Sequence, residues 1–136
     1  MADAWMAFRE CGWAAWICLL AAGAGLTAGF VGLLFLATSA RRHAWIPGAF
    51  AVLFGLAGVS AGFLGRAVGL ARMEAIFADP EMAEGLSAQD KARIREMGTQ
   101  EAGQCVKIGG FSAALPLLLG AASVGIGLAV RKKSAA

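Results

Sequence analysis

Three stretches of this chain carry no charged side chain: 11–38, 44–65 and 108–130, of 28, 22 and 23 residues. A hydrocarbon core of about 30 Å needs roughly 20 helical residues at about 1.5 Å each. Each stretch is long enough to span. A soluble helix of that length needs one polar face, whereas these segments are apolar all round and offer water nothing. The whole chain is 59% hydrophobic and 15% charged, against about 45–50% and about 25% in an ordinary soluble domain. The sequence therefore predicts an all-α integral membrane protein of three transmembrane helices, one membrane domain over residues 1–136.

The first helix is expected at about 11–40, with Trp5, Phe8, Trp13 and Trp16 near its start. Tryptophan favours the lipid–water boundary because its ring is apolar and its N–H wants a partner. The acid-rich N-terminus and the length of the apolar run do not fit a cleaved signal peptide. Ala15-Trp16-Ile17-Cys18 is also a poor lipoprotein cleavage site, so helix one is expected to stay attached.

Arg41-Arg42-His43 stops helix one, and Trp45 and Pro47 open helix two. A connection this short makes the first two helices an antiparallel hairpin. Helix two is expected over about 44–65, with an amphipathic extension to 78 in which Arg66, Arg72 and Glu74 alternate with Val68, Leu70, Met73, Ile76 and Phe77. An acidic loop follows over 79–85. Ser87 with Asp90 three residues on reads as a capping box. The short polar helix it opens, within a 79–106 segment, is expected to merge into helix three at about 107–130. The roughly 40 residues between the spans are too few to build their own core.

With three spans, the N-terminus and the long loop share one side. The hairpin turn and the C-terminus share the other, with five Arg/Lys and no acid, against seven Arg/Lys and nine acids opposite. Basic residues close to the spans mark the inner side. Their density favours an N-out, C-in arrangement, in a bacterial inner membrane given the compact Ala/Gly-rich composition. Cys11 and Cys105 then share the outer face, where a disulfide could pin helix three to helix one. The other reading of these thiols, and of Cys18 two turns deeper, is small buried side chains.

Small residues recur at alternating three- and four-residue steps in every span. Helix one has Cys11, Ala15, Cys18, Ala22, Gly25, Gly29 and Gly32, and helix two has Gly55, Gly58, Gly62, Gly65 and Gly69. Helix three has Gly98, Ala102, Cys105, Gly109, Ala113, Pro116, Gly120, Ser123 and Gly127. These steps trace one face of a helix. In lipid, apolar surface gives no drive toward association, so close backbone approach must supply it, and small residues permit that approach. The pattern predicts a close-packed bundle that associates with itself or with another membrane subunit.

The chemistry of catalysis is missing. His43 sits alone in a turn, and no CxxC, HExxH or phosphate loop occurs. No carboxylate lies within a span, so the usual mark of a proton relay is absent. The sequence predicts a non-enzyme with no cofactor, metal, nucleic acid or evident small-molecule substrate, whose environment is membrane lipid. Thr27, Thr38, Ser60, Ser112 and Ser123 are expected to bond back to their own helices, with Ser60 and Ser123 able to line a polar seam instead. Arg66 can snorkel to the interface, or pair with Glu101 across two helices.

Two segments resemble the MotA/TolQ/ExbB ion-channel family. Phe8-Arg9-Glu10-Cys11-Gly12-Trp13 is similar to the Phe/Gly/Gly opening before that family's first helix. Leu115-Pro116-Leu117-Leu118-Leu119-Gly120, with Ser123 and Gly127 following, is similar to its Pro-Leu-Leu-Gly helix. The order of elements departs: the family has its large cytoplasmic region after helix one and a tight pair of helices later. Here the tight hairpin comes first. The resemblance implies a reduced or accessory relative of an ion channel. A holin-like pore former is a further reading, since three spans with a basic tail suit it. The composition and the seams favour a small membrane subunit that acts by packing.

Overall fold

The computed structural model describes residues 5, 8, 9, 11–38, 40–79 and 85–135, with the backbone alone at 42 and 133–135. Most of the acidic loop, 80–84, lies outside the described residues. Three long helices form: α1 (Trp13–Ala37), α2 (Trp45–Ala78) and α3 (Ala88–Ala135), with a 3-10 turn, Arg41–His43, between the first two. Among the described residues there is no strand. The helices hold 25, 34 and 48 residues, or about 37, 51 and 72 Å at about 1.5 Å per residue. All three are long and apolar enough to cross a membrane. The chain is a multi-pass membrane protein.

The helix ends have local causes. Gly12 takes φ 61°, a conformation open to a residue without Cβ, and the helical path breaks there. The first span therefore starts at Trp13 rather than Cys11. It stops at Ala37, short of the expected 40, because Thr38 turns extended and its N–H and hydroxyl both donate to the Phe35 carbonyl. Pro47 sits in the first turn of α2, where backbone N–H groups have no partner inside the helix.

The capping box ahead of α3 closes from both sides. The Asp90 N–H donates to Ser87 Oγ at 3.1 Å, while the Ser87 hydroxyl and N–H both donate to Asp90 Oδ2, at 2.6 and 3.3 Å. From there α3 runs unbroken through 106 and through Pro116. A proline inside a helix leaves one carbonyl without its donor. Packing against neighbouring helices makes this tolerable in membrane spans, and Pro116 is fully buried.

The chain packs in layers along one axis, with α2 antiparallel to α1 and α3. At one end Ala14, Gly65 and Cys105 meet; one layer in, the Cys18 thiol donates to the Gly58 carbonyl at 3.3 Å. Midway, Gly25 lies against Phe54 and Pro116. At the hairpin end Gly32, Gly48 and Ser123 come together, and Gly127 abuts Trp45. The core of this bundle is backbone and small side chains: its buried residues are chiefly Ala, Gly and Cys, while Leu20, Phe111 and Leu118 stand more than two-thirds exposed. That is the inverse of a water-soluble core. It follows from a solvent as apolar as leucine itself.

Candidate functional site

Most of the seam residues read from the sequence are buried, whereas Ala22, Gly65 and Gly98 are half-buried and Gly69 is exposed. In α1, Ala15, Cys18, Gly25, Gly29 and Gly32 are buried, as are Gly55, Gly58 and Gly62 in α2. In α3, Gly109, Pro116, Gly120, Ser123 and Gly127 follow suit. What each glycine faces sets how much it matters. A Cβ on Gly62 would stand 2.7 Å from the Cys105 carbonyl oxygen and 3.2 Å from Gly109 Cα. One on Gly109 would meet the Gly58 carbonyl at 2.8 Å and Gly62 Cα at 3.0 Å. On Gly120 it would meet the Gly48 carbonyl at 2.7 Å. Backbone faces backbone at these points, and nothing there can step aside.

Other seam glycines face side chains. A Cβ on Gly29 would reach Leu119 Cβ at 2.9 Å, on Gly55 Leu117 Cγ at 2.7 Å, and on Gly65 Ala14 Cβ at 2.7 Å. Gly58 and Gly69 are looser, with nearest neighbours at 3.5 Å. Gly69 is exposed, because α1 ends before reaching its level. The inner contacts are thus made within one chain, α1 on α2 and α3 and α2 on α3. Gly48, which the sequence reading omitted, belongs to the same seam. Its signal was available: Gly48, Ala51, Gly55, Gly58 and Gly62 continue the three-then-four rhythm.

The structure joins Cys11 and Cys105 in a disulfide, Cα–Cα 5.2 Å, across 94 positions of sequence. Both sulfurs sit with Ala14 and Ala15 in a small buried cluster flanked by Phe8 and Ile108. Phe8 stacks on Trp5 at 5.8 Å and meets Trp16 edge-on at 5.2 Å. The tryptophans near this end remain about half exposed, Trp13 at 46% and Trp16 at 56%, as residues at a lipid–water boundary should be.

Two expected juxtapositions do not form. Arg66 and Glu101 are both exposed and no ion pair joins them. Arg66 follows Gly65 by one residue, and one step around a helix turns a side chain about 100° away from the seam. Ser60 is exposed two residues beyond Gly58, for the same reason, while Ser123 is fully buried with no hydrogen-bond partner for its hydroxyl. The two serines lie at different layers and make no common polar seam. Of the other hydroxyls, Thr27 donates to Gly23 O at 2.8 Å and Ser112 to Gly109 O at 3.0 Å, each within its own helix.

Beyond the disulfide α1 is finished, but α2 and α3 continue as a two-helix hairpin. Its far end is tied by the Arg95 guanidinium over the Phe77 ring, 5.5 Å from the centroid. On the side where α1 has stopped, a cleft of about 410 Å³ opens, floored by the disulfide and walled by Trp13, Val68, Met73, Ile76, Ile94 and Met97. Arg72 and Glu101 stand on its opposite walls. A second, shallower groove lies between the same two helices, with Leu70 and Met73 beside Glu74, Arg95, Glu96, Thr99 and Gln100. The cleft was not foreseen from the sequence, although the apolar alternation of 68–77 was its visible half. Among the described residues no three His, Cys, Asp or Glu side chains converge as a metal site. No protein-family model, curated protein or solved structure matches this chain.

Proposed function

We propose that this chain is a small non-enzymatic subunit of a bacterial inner membrane, acting through glycine-mediated helix packing in a homo-oligomer or a larger membrane complex. One observation carries the reading. Inside the spans the helices of this one chain close on one another through backbone contacts at Gly62–Gly109 and Gly48–Gly120, which makes a firm body whose outer surface is left to meet other subunits. Their outward surfaces are apolar, and charge is confined to the two ends. Such a body offers a shaped surface to other membrane helices and no polar route for a solute.

The orientation we infer is N-terminus and long loop outside, hairpin turn and C-terminus inside. Two independent features support it. Disulfides persist in oxidising compartments, which favours the Cys11–Cys105 face as external. The acid-free basic groups, Arg41-Arg42 and Arg131-Lys132-Lys133, lie at the other face, where the positive-inside tendency puts them.

The test is reconstitution of the full chain in liposomes, alongside native mass spectrometry from nanodiscs. The expected result is a held potassium diffusion potential together with a defined stoichiometry, either with itself or with a co-purifying membrane subunit. Rapid dissipation of the potential would overturn the packing role in favour of a MotA/TolQ/ExbB-like channel component or a holin-like pore.

A further inference from the structure

We propose that the cleft at the open end of the bundle is the seat of a second copy of this chain, which docks its own α2–α3 hairpin there about a two-fold axis along the membrane normal. The proposal rests on the packing role above and names the partner and the surface for it.

The physical need comes first. Two helices outside lipid cannot bury an apolar stripe against each other and still cover both sides of it. In the hairpin Ile76, Ile94 and Met97 stay 50, 37 and 46% exposed, all on the cleft side. The other groove carries four polar or charged side chains from α3, Arg95, Glu96, Thr99 and Gln100, with Glu74 from α2, around Leu70 and Met73. Within the bundle α1 covers the equivalent face; above Gly12 nothing described takes its place. A second hairpin laid against the first, with the two bundles leaning together so that each α1 clears the partner's spans below, would complete a four-helix arrangement.

Charge selects the occupant. Arg72 on the α2 wall and Glu101 on the α3 wall are the charged side chains of the cleft, and among the described residues neither has an ion-pair partner. Their heights match. Gly69 lies against Ala102 and Gly98 against Met73, so positions 72 and 101 differ by less than a helical turn along the axis. Two copies inserted the same way in one membrane relate by an axis along the membrane normal, which keeps every residue at its own height. In such an isologous contact, a residue that meets another is met by it in return. Arg72 of each copy then faces Glu101 of the other, and the two apolar stripes close between two salt bridges. A lipid chain would cover the stripe but would give Arg72 and Glu101 no partner beyond the water they already meet.

The experiment places a photo-cross-linker in the cleft, Met97→benzoylphenylalanine, in the full chain held in nanodiscs. The expected product is a dimer of this chain whose cross-link maps to the hairpin, 66–78 or 88–105, of the second copy. Arg72→Glu or Glu101→Arg alone should weaken dimerisation by about tenfold, since each breaks two symmetry-related pairs. The double exchange Arg72→Glu/Glu101→Arg should restore it. A circular-dichroism melt within a degree or two of the parent's certifies that each variant is folded. Cross-links to lipid alone, or charge variants that dimerise as well as the original, would overturn the proposal. If a defined assembly and an intact potential persist through that failure, the packing role stands without this surface; if the potential collapses, the packing role is what has failed.

Discussion

The membrane half and the outer hairpin use the same two helices, α2 and α3, yet they are held by opposite means. Inside the spans, three helices meet through Gly62, Gly109, Gly48 and Gly120 with backbone against backbone, and large apolar side chains point outward. In the hairpin, Gly69 and Ala102 are 3.5 Å apart at the would-be Cβ, and Met73 reaches over Gly98. There the large apolar groups line the cleft. Stability within lipid comes from removing side chains between backbones, and stability in water comes from hiding side chains. A helix that crosses the boundary must change its rule partway along, and α3 does so at the disulfide.

The comparison breaks most visibly at Gly109. Gly109→Leu puts a branched side chain into the Gly58 carbonyl and the Gly62 backbone, and the expected loss is about 3–4 kcal/mol. A thermal melt in detergent followed by circular dichroism would read it. If the variant melts within a degree or two of the parent, the seam is not what holds the spans together.

Removing the disulfide is next. Cys11→Ser frees a loop that spans 94 positions, with an expected cost of about 3 kcal/mol. Reductant should lower the parent's melting temperature by a similar amount and leave the variant unmoved. No response from either protein would mean that the seam alone anchors α1.

Ser123→Ala tests the opposite sign. The Ser123 hydroxyl is fully buried between Gly32 and Gly48 without a partner. Deleting it should raise stability by about 1 kcal/mol. A loss instead would expose a hydrogen bond that the packing conceals.

The smallest effect belongs to glycines on the open surface. Gly103 has nothing within 4 Å of an added Cβ, so Gly103→Ala should gain about 0.5–1 kcal/mol from helix propensity alone. A melt that resolves the gain at Gly103 and the loss at Gly109 would measure the two rules on one helix.

The spans and the seam faces were legible in the sequence because lipid reduces the problem to two variables, the length of an uncharged run and the size of a side chain. The rhythm at Gly55, Gly58 and Gly62 therefore pointed inward without any knowledge of the partner. Register was not legible. A small-residue seam can slide by one turn against another with little change in pattern, so nothing in the sequence specified that Gly25 would seat on Pro116 or Gly32 on Ser123. The pairing of Arg66 with Glu101 failed on direction, one residue off the seam. The cleft was hidden because it depends on an absence: the Gly12 break ends α1 while its neighbours go on. Only the relative lengths of three packed helices reveal that.

Helix α3 is a single rod of 48 residues, about 72 Å long, with one end beyond each face of the membrane. Its first third packs on one neighbour and its middle on two, with Pro116 buried against α1 and Gly120 and Gly109 against the α2 backbone. From Ala88 to Arg131 and Lys132 the chain never leaves this one helix. The hairpin beyond the disulfide and the basic residues at the far end of the bundle are thereby parts of one element of secondary structure.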